Sequence, residues 1–259
     1  MALSFHNKNR LKDVSIRWYQ SGTYPLQSLN YTYNELISAE KDALIFTDAN
    51  WTLFASYLLQ YGKGLFNDKK VIFSALMLTP FSMNELTEEL GIPEFKDADP
   101  EFYKSKTPTM TFANEMKKRI EHIAKYTKRP IYISVSTNEA VKNLLKDHLY
   151  GEGLLMRYSS KPYDNLAVMR RNFENTYLLD YLYEMFYPET LTDVCLDLKG
   201  VKMLSIYYVP AFKSLLQFYK ESGDVTHYDK LYSLLESIVK KADYYSDEVR
   251  ERYLKSINF

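Results

Sequence analysis

Residues 43–158 alternate short apolar runs with amphipathic stretches, and the alternation stops at about residue 172. This feature constrains the chain most, because strand-helix-strand order demands crossover connections and hence an open, mostly parallel sheet covered on both faces. The first run, ALIFT at 43–47, gives way at Asp48-Ala49-Asn50 to WTLFASYLLQYGKG, which reads as a strand, a polar turn and a helix stopped near Gly62 and Gly64. A second apolar run fills 71–78. After Thr79-Pro80, Ser82 and Glu85 have capping-box spacing, and Gly91 stops that helix. Prolines 93, 100 and 108 mark a surface excursion, helical spacing covers 111–126, and IYISV at 131–135 is the third strand. Either Thr137 or Asn138 caps a third crossover helix ending near Leu149, and LLMRY at 154–158 supplies a fourth strand.

From Asn172 onward apolar and aromatic residues recur at helical spacing, with no β-rich run. The expected helices are 173–186, then 201–222, where Pro210 either begins a new helix or kinks one, then 228–242 beyond Gly223-Asp224. The last two make an αα-hairpin of tetratricopeptide-like form, although no second copy with the same period follows. The expected fold class is α/β: an open, mostly parallel four-stranded sheet in a Rossmann-like domain over 1–165, followed by an all-helical domain over 166–259.

Charge and motif content exclude several functions. Lys plus Arg and Asp plus Glu both number 33, with no run of five like charges, so the basic footprint of a nucleic-acid partner is missing. The single cysteine, Cys195 between Val194 and Leu196, allows no internal disulfide or redox pair and reads as a small apolar residue. His6, His122, His148 and His227 are scattered without metal-ligand or triad spacing. No glycine-rich phosphate loop follows the first strand. No stretch approaches the roughly 18 apolar residues of a membrane helix, and MALSFHNKNRLKD has no signal-peptide core. The expectation is a chain with no catalytic residue, cofactor or metal of its own. Glu35, Glu40, Glu88 and Glu89 read as solvated helix faces. The 24 tyrosines are expected half-buried between helices, where the ring packs and the hydroxyl finds a partner.

Ligands of open α/β sheets sit beyond the carboxyl ends of the strands. The candidate ligand-binding residues there are Asp48, Asn50 and Asn138, joined by Arg157, Lys161, Tyr163, Asp164 and Asn165 around the end of the fourth strand. Each also has a plainer reading. Asp48 and Asn50 before a helix are ordinary caps, and 161–165 with Arg170-Arg171 is equally a joint between the halves, with Asp164 capping the next helix.

Three blocks occur in an order that resembles a known family. They are DALIFTDANWTLFASYLLQYGKGLFNDKKVIFSALMLTPFSMNEL at 42–86, RPIYISV at 129–135 and GLLMRYSSKPYDNLAVMRRNFENTYLLDYLYEMFYPE at 153–189. Together they resemble the C-terminal region of bacterial predicted membrane glycosyltransferases related to protein O-mannosyltransferases, over most of residues 28–190. In that family a multi-span membrane region carries the lipid-linked sugar donor and the catalytic acid. The resemblance therefore implies a non-catalytic accessory domain on the extracytoplasmic, periplasmic side, partnered by the membrane module and by acceptor protein or glycan. Without that link, a stand-alone cytoplasmic interaction scaffold is the alternative. Where the family carries an acidic, glycine-rich run of the form NGDND, this chain has Asp48-Ala49-Asn50-Trp51 and keeps one acid.

Overall fold

A computed structural model describes residues 7–96, 108–183, 204–241 and 246–257. The expected features at His6, Cys195, Pro100 and the Tyr187-Pro188 helix end lie outside these residues. The order is α1 (Lys8–Ser21), α2 (Leu26–Ser38), β1 (Leu44–Thr47), α3 (Asn50–Tyr57), β2 (Lys70–Phe73), α4 (Ser74–Met77), α5 (Pro80–Leu90), α6 (Pro108–Tyr126) and β3 (Ile131–Ser134). There follow α7 (Glu139–Leu145), β4 (Leu149–Gly151), β5 (Leu155–Tyr158), α8 (Asn165–Arg171), α9 (Asp180–Tyr183), α10 (Val209–Ser222), α11 (Val225–Lys241) and α12 (Asp247–Ile257). Among the described residues no helix is long and apolar enough to cross a membrane.

The class is mixed α/β, and the sheet departs from expectation in number and direction. It has five strands in the order β2-β1-β3-β5-β4. β1 pairs in parallel with β2 and β3, whereas β5 runs antiparallel to β3 and β4 antiparallel to β5. The extra strand is β4, which replaces the expected end of the third crossover helix: α7 stops at Leu145, a 3-10 turn (Lys146–His148) follows, and the chain extends from Leu149. With only three residues, Glu152 to Leu154, between β4 and β5 no crossover is possible, so a hairpin forms and antiparallel pairing is forced.

The strands obey a period of two. Leu44, Phe46, Ile72, Ile131 and Ile133 face a core shared with Met83 and Leu86 of α5, Met116, Ile120 and Ile123 of α6, and Val141 and Leu145 of α7. Ile45, Val71, Tyr132 and Leu155 face the other way, onto Leu36 of α2 and Leu53 and Leu59 of the α3 region. Each such buried aliphatic contributes roughly 1.5–3 kcal/mol against its exposed state. The second run is strand only over Lys70–Phe73, after which α4 begins. Thr79 rather than Ser82 caps α5, accepting from Ser82 N at 3.3 Å, because Pro80 takes the first helical turn.

α3 runs on into a π-helical turn (Leu58–Gly62), where a Cβ on Gly62 would come 2.5 Å from Tyr19 Cβ of α1. The close passage of α1 therefore requires glycine there. In the second half, the expected helix over 173–186 is broken. A π-helical turn (Asn172–Thr176) ends in extended backbone at Tyr177, and α9 starts at Asp180. Pro210 lies in the first turn of α10, after a 3-10 turn (Leu204–Tyr208), and so starts that helix. α10 and α11 meet across Gly223 and pack their apolar faces with the 3-10 turn into a third core, which includes Phe212, Leu215, Leu234 and Ile238. Tyr31 of α2 and Leu154 belong to that same core.

Candidate functional site

Two polar clusters form around buried carboxylates, and both lie where the helical half meets the sheet. The first occupies the carboxyl ends of β1 and β3. Glu35 is not on a solvated face as expected from sequence: it is 1% exposed. Its Oε1 accepts from Ser134 Oγ at 2.5 Å, Ser134 Oγ lies 2.8 Å from Ser136 Oγ, and Ser136 Oγ lies 3.3 Å from Thr47 Oγ1. Glu35 Oε2 and the Tyr31 hydroxyl, one turn apart on α2, are buried without partners of hydrogen-bond geometry. Burial pushes the Glu35 carboxyl up to about 8, with Ser134 and the nearby Tyr31 hydroxyl pulling it partly back.

Asp48 corrects the capping expectation. α3 is preceded by Ala49 and has no side-chain cap. Asp48 Oδ2 instead accepts from Asn138 N at 2.7 Å, tying the end of β1 to the loop after β3. Its Oδ1 is shielded from solvent and has no partner. Asn138 caps α7 by accepting from Ala140 N at 2.8 Å, and Asn50 opens α3 with its side chain exposed. Asp48 and Asn138 are thus brought together, with Asn50 beside them.

The second cluster gathers at the β4–β5 turn. Tyr163 donates to Glu152 Oε1, Arg157 pairs with Glu40, and the Arg157 guanidinium lies 5.7 Å from the Tyr163 ring centre. Burial raises the Glu152 carboxyl above the ordinary range, while Tyr163 and Arg157 hold it down and Glu40 pushes it up. Asn165 Nδ2 donates to Gly151 O at 2.7 Å, Asn172 Nδ2 to Glu152 O at 2.8 Å, and Leu154 N to Tyr177 Oη at 3.0 Å. Asp164 caps α8, accepting from Ala167 N at 3.0 Å, as one of the sequence readings held. Lys161 is exposed, with its backbone held by Ser159 Oγ. The segment after β5 therefore clamps a turn: Tyr163 and Asn165 bind it directly, Asp164 caps the helix behind them, and Arg157 of β5 lies against Tyr163.

Gly153 makes the clamp possible. It sits at φ +125°, and a Cβ there would lie 2.2 Å from the Tyr177 hydroxyl. Asn34, next to Glu35, completes the joint: its Nδ2 donates to Leu178 O at 2.9 Å and to Tyr208 Oη at 2.7 Å, and its Oδ1 accepts from Leu178 N at 2.8 Å.

A cleft of about 450 Å³ lies along edge strand β2. Gln60 Nε2 donates into it to Lys69 O and Phe66 O, and Glu89 bridges Lys70 and Lys8. These side chains cover an edge that would otherwise offer open backbone groups. Among the described residues no three His, Cys, Asp or Glu side chains are grouped to hold a metal ion. Glu35, Asn34 and Glu152 were missed from sequence, and the signal that could have found the first two is their place on the apolar side of α2 beside Tyr31. No protein-family model, curated protein or solved structure matches the chain.

Proposed function

We propose that the chain is a non-catalytic binding module serving a membrane glycosyltransferase on the extracytoplasmic side, gripping acceptor polypeptide or glycan beyond the carboxyl ends of β1 and β3. The observation that carries this reading is Asp48. Asn138 N fixes one of its oxygens, which leaves Oδ1 an oriented but unpaired acceptor next to exposed Asn50. A buried acceptor without a partner raises the free energy by about 1–3 kcal/mol, and a ligand hydroxyl or amide that displaces the cover over Oδ1 and donates to it recovers that amount. The membrane partner and the compartment rest on the family resemblance of the three sequence blocks.

The test is a glycan array and a peptide pull-down with the full chain and with Asp48→Ala. Binding by the wild type that falls at least tenfold in the variant supports the reading. Absence of binding in both assays, with unchanged glycosylation in cells carrying Asp48→Ala, sinks it. A second reading, a protein-interaction scaffold with tetratricopeptide-like helices, draws on the α10–α11 hairpin and on exposed Val225 at its turn. Capture of a partner protein that survives Asp48→Ala but is lost on Val225→Asp would favour it.

A further inference from the structure

Glu35 stands where three parts of the molecule meet, and nothing in the binding reading uses it. Its carboxyl reaches Ser134 at the end of β3, and its neighbour Asn34 binds Leu178 and Tyr208 of the helical half. Every element packed against this stretch of α2 presents neutral groups to it. From α2 itself the titratable neighbour is Tyr31; from the segment after α8 it is Tyr177; from the turn before α10 it is Tyr207, whose ring centre is 6.1 Å from that of Tyr31. α3, NWTLFASY, has Tyr57 as its one titratable residue, and that side chain faces Tyr61. β3 offers Tyr132 and Ser134, and Glu174 in the π-helical turn is turned to Tyr219 and Arg170. Among the described residues no cation faces Glu35.

A carboxylate in such a place has one hydroxyl donor in hydrogen-bond geometry, the Tyr31 hydroxyl nearby and no cation, so ionisation leaves a buried charge with no opposite charge to offset it. The geometry points to Glu35 as a proton-operated latch: uncharged, it lets α2 hold the sheet and the helical half together, and its ionisation loosens that union. The unfolded chain releases this proton in the ordinary carboxylate range, whereas the folded chain holds it to about 8. The folded state therefore binds the extra proton between those values, and the stability it contributes falls as pH rises through that window. Burial holds Tyr31, Tyr177 and Tyr207 above the ordinary tyrosine value, so these rings stay uncharged across the same range.

The latch makes a claim about the joint itself and stands apart from ligand binding. In the full chain, the Glu35 side-chain carboxyl carbon is followed by NMR from pH 5 to 9, together with exchange protection of the Leu178 amide, which Asn34 holds, corrected for intrinsic rates. The expected result is a carboxyl midpoint near 8 and a loss of protection of about tenfold or more with the same midpoint, absent from Glu35→Gln. A carboxyl that titrates in the ordinary range, or an unchanged loss of protection in Glu35→Gln, overturns the latch. Should Glu35→Gln fail to fold, Ser134→Ala removes the hydrogen bond that favours the ionised form. Both midpoints must then move upward together, and a midpoint that stays or falls overturns the proposal.

Discussion

Glu35 and Glu152 are both buried acids at the joint, 1% and 3% exposed, yet they are held in opposite ways. Glu152 sits under a phenol that donates to it and an arginine that lowers its carboxyl, and the turn carrying it is tied to the helical half by Asn165, Asn172 and Tyr177. Glu35 has hydroxyl and phenol neighbours and one unsatisfied oxygen. A buried charge is tolerated when a cation and oriented donors share its environment, and is otherwise replaced by the protonated form. The hairpin side of the joint is consequently a permanent clamp. The strand-end side is conditional on pH.

That contrast breaks most severely at Gly153. In Gly153→Ala the new methyl meets the Tyr177 hydroxyl in a backbone conformation that L side chains rarely adopt. The expected loss is about 3 kcal/mol or more in urea unfolding, and a loss below about 1 kcal/mol would mean that the clamp is not rigid. Next comes Asn34→Ala, which strands Leu178 N and Leu178 O and leaves the Tyr208 hydroxyl with Tyr181 alone. A loss of about 2–3 kcal/mol is expected, with exchange rising at the Leu178 amide before global unfolding.

The smallest effect sharpens the comparison. Arg157→Met removes the cation that lowers Glu152, so the folded carboxyl rises further above its unfolded value. The sign follows: the variant loses stability as pH rises, by about 1 kcal/mol at pH 8 and less at pH 5. A pH-independent loss in paired chemical-denaturation curves would show that Arg157 acts by packing on Tyr163 and not by charge.

The elements legible in the sequence are those whose cause is local. Apolar runs marked β1, β3 and β5 to within a few residues, Asp164 capped α8, and Gly223 turned α10 into α11. β4 was hidden because LYG is too short to show alternation and its pairing with β5 is what makes it a strand. The candidate residues do not share one set of carboxyl ends, because β5 is antiparallel: Asp48 and Asn138 bind each other across two loops beyond β1 and β3, while Arg157 within β5 and Tyr163 lie at the clamp. Glu35 was misread because α2 looks amphipathic only if its polar residues are assigned to water, and here Asn34 and Glu35 lie on its buried side.

The chain by itself determined an α/β half followed by a helical half, because hydrophobic period and turn residues act over a few positions. Tertiary structure alone decided that β5 turns back against β3, that α2 enters both the sheet's core and the helical one, and that a carboxyl is sealed between them. The last two depend on partners 99 and 144 residues away, Ser134 for Glu35 and Leu178 for Asn34, and a buried polar group is identified only by what closes over it.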